Sequence, residues 1–235
     1  YGDHRDLHLS LRRQRQMFIR DRETILHRAR SADGRPLRRE SGKKWVVDLE
    51  IFAGRITSTG FSSGDRIVIG DWHDSPIGSF TNIMWAKPDG SRILLSPSEE
   101  HAKYVSELYN FESVEITDIA VDRTRRGISI EGGGLSVDIS WGIALPIPIW
   151  RPLWFIATIE AFFARVLFGT KTHGRTKNNR REWYSIRSIS RVLNAEASFD
   201  GLELGGSESF TTNACFGFSE PPSMPASVSL KSYIE

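Results

Sequence analysis

The sequence predicts an α+β domain, predominantly antiparallel β, in which about nine strands curl into a barrel or half-barrel accompanied by two main helices. Short runs rich in β-branched and aromatic residues recur from residue 65 onward, each ended by turn residues. Several of them alternate, with one face for a core and one for water, which is how antiparallel strands behave. A flat sheet of so many strands would leave too much open edge, so closure or curling is expected.

The elements follow in order. RIVIG (66–70) and SFTNIMWAK (79–87) read as strands. The second alternates in part, and PDG at 88–90 then turns into SRILLS, the strongest hairpin signal in the chain. In SPSEEHAKYVSELYNF, Ser96 or Ser98 can cap a helix, Glu99 and Glu100 suit its positive first turn, and Ala102, Val105, Leu108 and Tyr109 follow helical spacing. SVEITDIAVD resumes the strands, and RRGISIEGGGLSVDISWG reads as a hairpin closed by Gly132 to Gly134. EWYSIRSISRVLNAEASFDGLELG, FTTNACFGFS and ASVSLKSYI supply three or four more.

The chain has 235 residues and a net charge of +2, but the charge is unevenly placed. Tyr1 to Lys44 carries 13 basic against 6 acidic residues, a net of +7, which leaves 18 and 23, a net of −5, for Trp45 to Glu235. Within the basic part, RRQRQMFIRDR (12–22) is similar to the translation of a sequencing-library adapter, differing only where Phe18 stands for Cys. Residues 1–44 are therefore expected to be an artefactual or disordered extension, and 45–235 a single β-rich domain. A mildly acidic body argues against nucleic-acid binding, which rests on many Lys and Arg contacts to phosphates. Cys215 is the only cysteine, so no intrachain disulfide can form, and a buried free thiol is expected. No leader sequence is recognised, and a bacterial cytoplasmic location is expected.

The segment IALPIPIWRPLWFIATIEAFFARVLFG (143–169) begins with prolines that exclude regular helix, then predicts a helix from Pro152 to Phe168. Ile156, Ile159, Phe163 and Val166 form its apolar stripe. The uncharged run between Arg151 and Glu160 is far short of the ~20 residues that span a bilayer. A helix packed across the sheet is expected, and contact with a membrane surface or a ligand portal stays open.

Two stretches carry candidate chemistry. GDWHDSPIGSF (70–80) gathers Asp71, His73 and Asp74 beside Ser75, a set that can supply acid–base catalysis, although Asp-Ser-Pro also makes a turn by itself. KTHGRTKNNRREWY (171–184) places Lys171, Arg175, Lys177, Arg180 and Arg181 ahead of the first acid, Glu182, which suits an anionic ligand or a solvated loop. Trp85, Trp154, Trp183 and Tyr184 are the aromatic candidates for a ligand cavity, if they are not core. No metal-ligand spacing and no nucleotide glycine pattern is present, so no metal and no cofactor is expected.

GDRIVIGDWHDSPIGSFTNIMWAKPDGSRILLSP, RREWYSIRSISRV and FGFS together resemble an uncharacterised family of bacterial proteins, over Gly64 to the C-terminus. That resemblance implies no activity and no functional residues. SPIGSF is similar to the β-barrel acetoacetate decarboxylase family, without its catalytic lysine motif, and implies only a fold. The function expected is binding of a small amphiphilic, apolar or anionic ligand in a barrel-like cavity. The alternatives are an enzyme using His73 with Asp71 or Asp74, and a peripheral membrane protein.

Overall fold

A computed structural model describes residues 49–146, 173–210, 215–218 and 223–235. The expected N-terminal extension and the helix over 152–168, with Trp154 and Lys171, lie outside these residues. The described chain runs β1 (Glu50–Phe61), β2 (Arg66–Asp74), β3 (Phe80–Ala86), β4 (Arg92–Ser96), α1 (Glu99–Leu108), β5 (Ser113–Ile116), β6 (Ala120–Thr124), β7 (Gly127–Gly132) and β8 (Leu135–Trp141). It continues with β9 (Leu145–Pro146), β10 (His173–Arg175), β11 (Arg181–Phe199), β12 (Leu202–Glu203), β13 (Ser207–Glu208) and β14 (Ala226–Ile234).

Ten strands form one continuous path, β5-β4-β3-β2-β1-β14-β11-β8-β7-β6, and the four short strands β9, β10, β12 and β13 attach at its sides. Every pairing is antiparallel except β4 with β5, so the sheet is mixed. The 19-residue β11 carries the sheet round, pairing β14 along its first half and β8 along its second, with register shifts at Ile186/Ser188 and Val192/Asn194. Such bulges sharpen twist and bend a strand. The result is a curled half-barrel whose two ends, β5 and β6, are consecutive in sequence and joined by residues 117–119.

Side chains sort by strand alternation onto two faces. The inner face gathers Ile67, Ile69, Ile83, Trp85, Ile93 and Leu95 from one side of the curl. Ile128, Ile130, Val137, Ile139, Trp141, Val192 and Ala197 come from the other, and the two sets form one core. The outer face is covered by α1, where Phe52, Phe80, Leu94, Val105, Leu108 and Ile234 pack together. Ser98 caps α1, its Oγ accepting from the His101 N–H at 3.3 Å. Both faces are thus covered along much of β1 and β2.

Four expectations change. β1, which carries Arg55, was not anticipated as a strand, because Arg55, Thr57 and Thr59 occupy its inner positions and leave no apolar alternation. SVEITDIAVD is two strands at opposite ends of the sheet rather than one run. FTTNACFGFS is not a strand at Phe210 or over residues 215–218; Phe216 instead packs against Val68 and Ala86. Cys215 is exposed rather than buried, because its neighbour Phe216 takes the inward position. One helix is present among the described residues.

Candidate functional site

The inner face is apolar toward β3, β4, β7 and β8, and polar where β1 meets β14 and β11. Cross-strand register lines up Thr81, Asp71, Arg55, Ser229 and Ser188 as one row over five strands. The next row, Leu95, Ile83, Ile69, Thr57, Ser227 and Ser190, passes from aliphatic to hydroxyl side chains. Opposed residues on adjacent strands share a face about 5 Å apart, so each row is a contiguous strip of the inner wall.

Arg55 stands at the centre of the polar strip. Its guanidinium lies 4.8 Å from the Trp141 ring centroid, and Nη1 donates to Ser227 Oγ at 3.0 Å. Ser227 Oγ in turn shares a hydrogen bond with Thr57 Oγ1 at 2.8 Å. Burial lowers the Arg55 pKa and the nearby Asp71 charge partly restores it, so the group stays cationic. Arg55 makes no ion pair among the described residues. Lys231, one step along β14 on the same face, makes none there either.

Asp71 is committed to another cation. Arg123, from β6 at the far end of the sheet, donates Nε to Asp71 Oδ2 at 3.0 Å and Nη2 to Oδ1 at 2.7 Å, while Thr81 Oγ1 donates to Oδ1 at 2.7 Å. Burial alone would raise the Asp71 carboxyl. The hydrogen bonds from Arg123 and Thr81, with the charges of Arg123 and His73, outweigh burial and hold it below the usual carboxylate range. The ion pair spans the gap between the two ends of the half-barrel, and a cleft of about 380 Å³ opens beside it. Its walls are Ser79, Phe80, Thr81, Pro97, Ser98 and His101 on one side, and Ile119, Val121 and Arg123 on the other.

The residues singled out in the sequence are dispersed. Asp71 belongs to the inner strip, whereas His73 and Asp74 are exposed at the end of β2, where a register shift skips His73 and sets Asp74 opposite Ala53. Trp85 is core: its Nε1 donates to Asp65 Oδ1 at 2.7 Å and its ring packs on Phe199. The described part of the basic stretch is the β10–β11 hairpin, and its described cations have internal partners. Arg180 pairs with Glu50 at 2.7 Å, Arg181 with Glu235 at 2.5 Å, Arg175 bonds Asn179, and Lys177 Nζ donates to the Ser106 carbonyl. Trp183 is buried between His173 and Arg181. Tyr184 stacks on Phe218 and shares a hydrogen bond with Tyr109.

Arg55, Arg123, Lys231 and Thr81 were not anticipated. RITSTGF offered a signal, a cation alternating with hydroxyl residues, but only the register shows that it faces Asp71. Among the described residues no cluster of His, Cys, Asp and Glu is arranged to hold a metal, and no helix is long and apolar enough to cross a membrane.

No family model matches the chain, and no curated relative does. Solved structures of similar fold include an acetoacetate decarboxylase, 10% identical with a TM-score of 0.40 over 79% of this chain and 84% of the other. Another is acetoacetate decarboxylase from Legionella pneumophila, 7% identical with a TM-score of 0.37 over 83% and 89%. The likeness concerns the course of the chain and assigns neither residues nor a reaction.

Proposed function

We propose that this protein binds a small organic anion on the inner face of the half-barrel, with Arg55 as the anchor of its charge. The observation that carries the reading is the half-buried Arg55 guanidinium, whose one hydrogen bond among the described residues is to a neutral hydroxyl while the neighbouring carboxylate, Asp71, is held by Arg123. A partly desolvated guanidinium with no acid of its own among the described residues is a favourable partner for a carboxylate, to which it can present two parallel N–H groups. Trp141 beneath it and the aliphatic rows beside it suit a short apolar chain, so the ligand class is a small carboxylic acid. The basic hairpin is a weaker candidate, because its described cations already have partners.

The test is calorimetric titration of butyrate into the full chain and into Arg55→Met. A charge-assisted hydrogen bond contributes about 1.5–3 kcal/mol, so the substitution is expected to weaken binding by about tenfold or more with a native circular-dichroism spectrum. Equal affinity in both proteins, or no binding in either, would remove Arg55 from the reading.

A further inference from the structure

We infer that the ligand is a two-ended anion, a short dicarboxylate that reaches from Arg55 on the inner wall to Arg123 in the cleft between the two ends of the sheet. The inference rests on the reading that Arg55 anchors a carboxylate. It comes from the distribution of charge and of uncommitted donors around Asp71.

Three cations share this region: Arg55 on β1, Lys231 on β14 and Arg123 on β6. Among the described residues two carboxylates accompany them: Asp71 opposite Arg55, and the exposed Asp74, which register places in line with Ala53 and Lys231. These described groups leave a surplus of one positive charge, enough for the first carboxylate, and a second carboxylate would be drawn by the open edge of the Arg123 guanidinium. The second anchor is also geometrically open. Arg123 spends Nε and Nη2 on Asp71 and Thr81, its Nη1 makes no hydrogen bond among the described residues, and its side chain is 52% exposed. The described lining of the cleft beside it holds one cation, Arg123, and no carboxylate, so an anionic group meets no repelling charge there. Arg55 lies on the strand paired with Asp71 and Arg123 reaches Asp71 from across the gap, so the two guanidiniums flank one carboxylate.

Calorimetric titration of the full chain with butyrate, succinate, glutarate and adipate, at constant pH and ionic strength, tests this. At least one dicarboxylate is expected to bind about tenfold tighter than butyrate, the gain from a second charge-assisted contact. In Arg123→Gln that advantage is expected to disappear: butyrate, which loses a neighbouring charge, is expected to weaken, and the dicarboxylates, which lose a direct contact as well, to weaken more. Because Arg123 also holds Asp71, the comparison of ligands on the unaltered chain stands as a test independent of the variant. If butyrate and the dicarboxylates bind alike, and Arg55→Met still weakens butyrate, the two-ended ligand is overturned and the single anchor survives. If Arg123→Gln weakens butyrate as much as the dicarboxylates, the two-ended ligand is likewise overturned. If none of the four acids binds, the single anchor falls too.

Discussion

Glu182 is a carboxyl group that is 1% exposed, placed where α1, β11 and β14 meet on the outer face. Tyr109 Oη donates to it at 2.9 Å, Ser232 Oγ donates at 2.7 Å, and Tyr184 completes the cluster. Burial raises its pKa, and the three hydroxyl groups with the charge of Arg180 only partly oppose that. Arg180 is itself paired with Glu50, which also accepts from Tyr104, so its charge is shared. An acid whose folded pKa lies above its unfolded value binds more protons when folded. Stability is then greatest below the unfolded glutamate pKa of about 4.3 and falls as pH rises through the folded pKa, by about 1.4 kcal/mol per pH unit across that window. Glu182→Gln mimics the neutral acid. It is expected to melt above the parent protein at pH 8 and to lose that advantage toward pH 4, in thermal unfolding followed by circular dichroism. A variant less stable than the parent at pH 8 would mean that Glu182 is ionised and satisfied in the fold.

α1 is held at its start by a cap and along its length by Ala102, Val105 and Leu108. Ser98 is extended, with φ −157° and ψ 164°, so its hydroxyl can reach back to the His101 amide, and its Oγ also lies 2.7 Å from His101 Nδ1. Ser98→Ala is expected to cost about 1 kcal/mol, seen as a lower urea midpoint at unchanged slope. An unchanged midpoint would show the cap to be replaceable by water. This element was legible in the sequence because its cap, first-turn acids and apolar spacing are all local. The β3–β4 and β7–β8 hairpins were legible for the same reason, through PDG and the glycines at 132–134. β1 was not: its inner residues are Arg55, Thr57 and Thr59, and the alternation rule sees only apolar faces. The division of SVEITDIAVD was also hidden, since strands of similar composition can pair with β4 or β7. Of the candidate site, the sequence singles out Asp71 as a possible acid–base residue beside His73, whereas Arg55 and Arg123 become its neighbours only through strand order.

The half-barrel as a whole is closed in two ways. At one end residues 117–119 join β5 to β6 through the chain, and Gly133 N–H donates to Thr117 Oγ1 at 3.2 Å. Toward the other end the two sides are tied by the Arg123–Asp71 pair beside the cleft. These ties differ in kind: the first is covalent, while the second is a side-chain contact whose arginine is half exposed and so contributes about 1 kcal/mol or less. Asp71 thus has two roles that a single substitution separates. Asp71→Asn keeps an acceptor for Thr81 but removes the carboxylate that lies between Arg55 and Arg123. Global stability is expected to fall by no more than about 1 kcal/mol in urea unfolding. Butyrate affinity is expected to rise several-fold, because the positive surplus on the inner wall grows by one charge, and the gain should shrink as salt is added. A loss of affinity in Asp71→Asn would instead make Asp71 part of the ligand's own hydrogen-bonding set, and the excess of cations would no longer explain what the half-barrel selects.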